Sequence, residues 1–200
     1  MADDAGFQSA TLGEINMMRL ENYKYSEYHK YIKRIYENSF AKEEKFKFSI
    51  LKQCNKEINV HLDCIILNEV PVGMQFIVDI PYDISYLMYF AIDKEYRNRG
   101  IGSKVLQNIL TTKENVLLCI ERPIDELTKS RKIFYLKNGF YETNVFIEDN
   151  GVQYELLSSL KNYKPTVRDL LNRYRFMTSN KFIFNKIKKA FNADEIKFIK

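Results

Sequence analysis

Tyr86–Leu110 reads YLMYFAIDKEYRNRGIGSKVLQNIL. Its first seven residues are almost wholly apolar, which predicts a strand covered on both faces. Its last ten carry Ile101, Val105, Leu106, Ile109 and Leu110 at helical spacing, which predicts an amphipathic helix. Between the two stand Arg97, Asn98, Arg99, Gly100 and Gly102. A helix N-terminus offers unpaired N–H groups and the positive end of a dipole, so it attracts anions. Glycines remove Cβ atoms where a bulky oxyanion would sit, and arginines supply fork-shaped donors beside it. The turn reads as a cradle for a diphosphate.

Working outward, NVHLDCIIL (59–67) and VGMQFIVDI (72–80) are β-rich runs joined by a short turn, a hairpin. NVLLCIE (115–121) reads as a further strand, and DELTKSRKIFYLKNG (125–139) as a helix ending at Gly139, a C′ residue. FYETNVFIEDNGVQYELL (140–157) reads as a last hairpin turning at 149–151. Upstream, residues 25–40 carry Tyr28, Ile32, Ile35 and Tyr36 at helical spacing, and a second helix covers 42–54. The order ααβββαβαββ predicts an α/β (α+β) domain, three layers over a mixed sheet.

The whole chain narrows the chemistry. Its 200 residues are 46% hydrophobic and 28% charged with only 7 Gly and 4 Pro, a globular composition. No apolar run reaches the roughly 18 residues of a membrane span. Residues 1–16 are acidic and lack a signal-peptide core, so they read as a leader, native or appended ahead of Met17 or Met18. Cys54, Cys64 and Cys119 are odd in number and widely spaced, against a disulfide framework or a zinc site. With only His29 and His61, a metal cluster or a Ser-His-Asp triad has little material. A reducing, cytoplasmic setting is expected.

The two glycines of the cradle lie two apart, and Val105 stands where a dinucleotide fingerprint would place its third glycine. The spacing that matches is R-x-x-G-x-G, Arg97 to Gly102, which resembles the acetyl-CoA pyrophosphate motif of the GNAT superfamily of N-acetyltransferases. KIFYLKNGF (132–140) resembles a second signature, with Tyr135 four residues before Gly139 and Phe140 opening the next strand. ILNEVPVGMQFIV (66–78) is similar to the family's β2–β3 hairpin, where a glycine begins the third strand. Together they span about 18–157, so that a GNAT domain covers 17–160 and a basic extension 161–200.

The resemblance implies a mostly antiparallel sheet splayed between its fourth and fifth strands, with pantetheine running along Phe90, Ala91 and Ile92. The N–H groups of Arg99, Gly100, Ile101, Gly102 and Ser103, the side chains of Arg97 and Arg99, and the turn at Asn98 would hold the pyrophosphate of acetyl-CoA. A backbone N–H near Phe90–Ile92 would polarise the thioester carbonyl. Tyr135 would give a proton to the departing thiolate, and Glu121 is the leading candidate to take one from the amine. Glu43 and Glu44 are weaker candidates, and with Asp79 and Asp83 they would form an acidic mouth. Two positions depart from the pattern. Thr128 replaces an Asn that contacts pantetheine, and Arg131 replaces an Ala, where it would reach a CoA phosphate or face water. Cys119 reads as packing.

Residues 161–200 hold 11 Lys/Arg against 3 Asp/Glu. Val167, Leu170, Leu171 and Tyr174 form one predicted helical face there, and Phe182, Ile183, Ile187 and Phe191 another. Such helices would cap the domain, mediate a homodimer, or bind nucleic acid, anionic lipid or a protein partner. Two readings follow. One is an acyltransferase that moves acetyl from acetyl-CoA to a primary amine, a small molecule or a peptide, by direct attack in a ternary complex without a metal. The other is a non-catalytic CoA-binding module whose basic helices bind nucleic acid or protein.

Overall fold

The molecule, seen here as a computed structural model, is described over residues 17–82, 84–149, 151–191 and 197–199. The leader 1–16 and Asp83 lie outside those residues. In chain order the elements are β1 (Met18–Asn22), α1 (His29–Ser39), α2 (Phe48–Cys54), β2 (Val60–Leu67), β3 (Val70–Ile80), β4 (Ile84–Ile92), α3 (Ile101–Thr112), β5 (Asn115–Glu121), α4 (Glu126–Lys137), β6 (Tyr141–Asp149), β7 (Val152–Ser158), α5 (Val167–Arg175), α6 (Lys181–Phe191) and β8 (Lys197–Ile199). The strands form one sheet in the order β1-β2-β3-β4-β5-β7-β6-β8, antiparallel throughout except for β4 against β5. The mixed sheet flanked by helices is the architecture the sequence predicts. Strands β1 and β8 are additions to it.

One face of the sheet carries α1, α2, α5 and α6, which bury Ile32, Leu51, Tyr174 and Ile187 in a shared core. The other carries α3 and α4 over Ile101, Val105, Leu106 and Phe140. Each fully buried Val, Leu, Ile or Phe side chain of this kind contributes about 1.5–3 kcal/mol. The β2–β3 turn places Asn68 and Glu69 at φ 48° and 63°. Two left-handed residues in succession give the tight turn whose twist matches its strands. Gly73 is forced by proximity: a Cβ there would stand 2.4 Å from the Ala91 carbonyl oxygen, so β3 and β4 could not keep their register with any side chain.

The predicted apolar face of α5 needs correction. Val167 and Leu171 are exposed, and the buried residues are Leu170, Arg173 and Tyr174. Spacing puts position 173 beside 170 and 174 on the inner face, and its guanidinium is tolerated there because Asp149 neutralises it at 2.7 Å. Of α6, Ile187 is buried and Phe182 is exposed, while the side chain of Phe191 lies outside the described residues. Further contacts tie this segment to the body. Asn59 donates to the Phe176 carbonyl at 2.8 Å, and Glu57 accepts from the Ser179 N–H at 2.7 Å. Among the described residues no helix is long and apolar enough to cross a membrane.

Candidate active site

The parallel pairing of β4 and β5 is short. Ile84 faces Asn115, Ser85 faces Val116, Tyr86 faces Leu117, and the register ends there. From Leu87 and Leu118 onward the strands diverge, so the sheet is split by a cleft of about 710 Å³. The root of the fork is stapled by Asp79. Its carboxylate accepts from Ser85 of β4 at 2.7 Å, from Lys113 just before β5 at 2.7 and 2.8 Å, and pairs with His61 at 3.0 Å. Burial opposes the charge, but these three partners outweigh it and hold the carboxyl well below the usual carboxylate range. Asp79 therefore belongs to the root of the sheet and takes no part in an acidic mouth.

A bulge shapes β4 within the cleft. Phe76 faces Tyr89 and Ile77 faces Leu87, so Met88 is an extra residue. Such an insertion bends the strand and breaks the alternation of its faces. Tyr89 and Ala91 accordingly join the core on one face, and Phe90 and Ile92 pack on the other. The groups of β4 that would have paired with β5 beyond Tyr86 have no partner strand among the described residues.

At the wide end stands the arginine-glycine turn. Arg97, Asn98, Arg99 and Gly100 are exposed, with Asn98 at φ 61° and Gly100 at φ 74°. Gly100 caps α3, and the first helical hydrogen bond runs from the Lys104 N–H to its carbonyl at 3.1 Å. The N–H groups of Ile101, Gly102 and Ser103 precede that bond and have no acceptor within the helix. A Cβ on Gly100 would meet nothing within 4 Å, so the ground before these N–H groups is open. Gly102 is small for a different reason: a Cβ there would lie 3.1 Å from the Phe134 ring. The Arg97 Nε donates to the Ile92 carbonyl at 2.9 Å, and the Arg99 guanidinium lies over the Tyr96 ring at 5.5 Å. An anion with several oxygens fits this turn.

Tyr135 is held by the end of its helix. The Phe140 N–H returns to the Tyr135 carbonyl at 3.2 Å and the Gly139 N–H to that of Leu136 at 3.4 Å, with Gly139 at φ 89°. This is a Schellman closure, and it brings the Phe140 ring to 5.6 Å from that of Tyr135. The spacing Tyr-x-x-x-Gly-Phe thus has a local cause: it fixes the tyrosine backbone from below while the ring lines the cleft. Burial pushes the hydroxyl up to about 12, against a smaller pull from the charge of Arg131. Tyr135 is therefore protonated at neutral pH.

Thr128 is elsewhere. Its hydroxyl belongs to the capping box of α4, donating to Asp125 Oδ1 at 2.7 Å and accepting from the N–H groups of Ile124 and Asp125 at 3.1 Å. Arg131 does line the cleft, where it pairs with Glu121 at 3.0 Å. Glu43 is exposed, whereas Glu44 is half-buried and faces the cleft. Burial, and next the charge of Glu121, raise the Glu44 carboxyl above its ordinary value.

The narrow end holds a set of residues that the sequence reading did not bring together. The Arg173 guanidinium donates to Tyr86 Oη (2.9 Å), Cys119 Sγ (3.3 Å), Asp149 Oδ2 (2.7 Å) and Tyr174 Oη (2.7 Å). It bridges β4, β5 and β6 where the fork opens. Cys119 shares a 2.7 Å contact with Tyr86, and burial raises its thiol. The position of Arg173 three residues after Leu170 was the available signal. A smaller cavity of about 460 Å³, lined by Tyr82, Leu160, Tyr163 and Asp169, contains none of the predicted site residues. Among the described residues no group of three or more His, Cys, Asp or Glu is placed to hold a metal ion.

Residues 61–142 match the model of the acetyltransferase (GNAT) domain. Over those residues the chain is similar to the acetyltransferase (GNAT) domain. Among solved structures, a GNAT-family protein from Bacteroides thetaiotaomicron is similar over 87% of this chain and 97% of its own, at 21% identity and TM-score 0.62. Ard1 from Thermoplasma volcanium is similar over 70% of this chain and 95% of its own, at 18% identity and TM-score 0.54. Arabidopsis thaliana Naa50, solved with the bisubstrate analogue CoA-Ac-MVNAL, is similar over 70% and 97%, at 16% identity and TM-score 0.54. At these identities the likeness is one of fold. No curated protein sequence matches the chain.

Proposed function

We propose that this GNAT domain is an N-acetyltransferase that moves acetyl from acetyl-CoA to a primary amine by direct attack in a ternary complex. One observation carries the reading: β4 and β5 part after Tyr86–Leu117, and the cleft they open runs to the bare N–H groups of α3. Acetyl-CoA supplies an activated carbonyl. The open ground at Gly100 and the unpaired N–H groups of Ile101, Gly102 and Ser103 suit its pyrophosphate, with Arg97 and Arg99 beside it. The edge of β4 along Phe90, Ala91 and Ile92 suits the amides of pantetheine, as an added strand would, with the Ile92 carbonyl already taken by Arg97 Nε. The CoA conjugate bound to the Arabidopsis neighbour favours the same cosubstrate.

Within that reading each residue has a task. A β4 N–H near the bulge stabilises the oxyanion, an effect that typically amounts to ~10²–10³ in rate for one donor. Tyr135, kept protonated by burial, donates to the departing thiolate. Thr128 is spent on its helix cap and makes no pantetheine contact, while Arg131 holds Glu121 at the mouth. The three cysteines are all unpaired, in keeping with a reducing, cytoplasmic setting.

Calorimetry with acetyl-CoA followed by Tyr135→Phe tests the proposal. The variant is expected to bind acetyl-CoA as the wild type does and to lose ~10²-fold or more in kcat. Absence of saturable acetyl-CoA binding to the wild type would overturn the function, and an unchanged kcat in the variant would overturn the role of Tyr135.

A further inference from the structure

Three carboxylates line the cleft: Glu44, Glu121 and Asp149. Two of them are matched. Arg131 takes the charge of Glu121 at 3.0 Å, and Arg173 that of Asp149 at 2.7 Å. Glu44 is in no ion pair among the described residues; its carboxylate accepts from the Ala41 N–H at 3.3 Å and lies against the Glu121 carboxyl. It lies on the face of the sheet opposite α3 and α4, in the loop between α1 and α2. That face is where an amine would approach a carbonyl brought through the sheet from the α3 side.

We infer that Glu44 receives the acceptor as an ammonium ion and takes its proton, so that the acceptor is a strongly basic aliphatic or benzylic amine. The inference rests on the acetyl-transfer reading and deepens it. An unmatched carboxylate in a half-buried cleft lacks a cation, and an ammonium ion supplies one. Phe40, Met88 and Tyr154 surround the same space with apolar surface fit for a hydrocarbon body.

The same surroundings make Glu44 a better base than an ordinary glutamate. The groups that face it are Glu121 of β5 and Arg131 of α4, the Tyr154 ring of β7, and Tyr89 of β4, whose hydroxyl donates to the Glu44 carbonyl at 3.0 Å. Burial and the Glu121 charge raise its carboxyl, and Arg131 pulls the other way by less. A carboxylate whose affinity for protons is raised toward neutrality accepts one more readily. Glu121 then acts through Glu44, by its charge, and is a positioning residue. In the step, one ammonium proton passes to Glu44 and on to water. The freed lone pair forms the C–N bond as the carbonyl π electrons move to oxygen, and collapse of that oxyanion breaks the C–S bond with the electron pair leaving on sulfur. A second proton from nitrogen reaches that sulfur by way of the Tyr135 hydroxyl. The balance is one amide, one thiol and one proton released.

The test pairs benzylamine, an ammonium ion at neutral pH, with 2,2,2-trifluoroethylamine, largely uncharged there. Glu44→Gln is expected to bind acetyl-CoA as the wild type does. It should lose ~10²–10⁴-fold in kcat/KM toward benzylamine and tenfold or less toward the fluorinated amine. Glu44→Asp should recover part of the benzylamine rate. The wild-type kcat/KM for benzylamine should rise with pH through a value above that of an ordinary glutamate, and this limb should vanish in Glu44→Gln. Equal loss toward both amines overturns the base. Carbon-13 titration of labelled glutamate side chains decides the matter where neither amine is turned over. One carboxyl titrating above the rest and absent from Glu44→Gln supports the assignment, and a Glu44 carboxyl titrating with the rest overturns it. Failure of acetyl-CoA to bind the wild type strikes the transferase reading instead, and the two failures are separate.

Discussion

The two ends of the cleft are built on opposite principles. At the wide end, N–H groups at the start of α3 have no helical acceptor, and Gly100 leaves the space before them clear. At the narrow end, one buried guanidinium binds a carboxylate, two tyrosines and a thiol from four different elements. Even there the accounting is incomplete: among the described residues, Asp149 Oδ1 and Arg173 Nε are buried without hydrogen-bond partners. Each such group costs about 1–3 kcal/mol, which the packing of Leu170 and Tyr174 has to offset. The open end invites a ligand, and the closed end decides where the strands begin to part.

The first way to break that contrast is Arg173→Met. It leaves the Asp149 carboxylate buried without its cation, which should cost about 3–5 kcal/mol of unfolding free energy. Urea denaturation measures it, and joint replacement with Asp149→Leu should recover most of the loss, because no charge then stays buried. A single variant as stable as the wild type would mean that the apex is not held by this pair.

How much of this was legible follows from how local each cause is. Gly100, Gly139 and Phe140 could be read because a left-handed cap or a helix closure involves residues within one turn. Tyr135 was singled out by the resemblance, through a spacing to Gly139 that the Schellman closure accounts for. Arg173 could not be read so easily, since an arginine counts as a surface residue until its partner on a strand 24 positions away is known. The choice between Glu43 and Glu44 turns on the path of a loop that only tertiary packing defines. Strand β1, MRLEN, has two charges in five residues and becomes a strand only because β2 offers it an edge. The staple at Asp79 joins three elements and leaves no mark in any of them.

That staple sharpens the comparison from the root of the fork. Its carboxyl is depressed in the folded chain, so its contribution is complete above the unfolded value of about 3.9 and is lost as pH falls further, through the folded value. Asp79→Asn should therefore be less stable than the wild type by about 1–3 kcal/mol at neutral pH, a figure typical of hydrogen bonds to a charged group. The gap in urea midpoints should close as the medium is acidified below about pH 4. A gap that stays constant into acid would mean that charge is not what holds β4 to β5.

The smallest effect on stability belongs to the wide end, and there it separates folding from binding. Gly100 sits at φ 74° with nothing within 4 Å of a Cβ, so Gly100→Ala meets no clash and suffers only the left-handed penalty, about 1 kcal/mol. That cost should appear as a small shift in urea midpoint. The methyl group would nevertheless stand in the ground before the Ile101, Gly102 and Ser103 N–H groups, where the pyrophosphate is proposed to lie. Acetyl-CoA affinity measured by calorimetry should fall by tenfold or more, a larger change than the stability loss alone would suggest. Gly102→Ala provides the contrast, since its methyl group presses on Phe134 at 3.1 Å and acts through the packing of α4. If Gly100→Ala left acetyl-CoA affinity intact, the open end of the cleft would have to be read as a turn like any other.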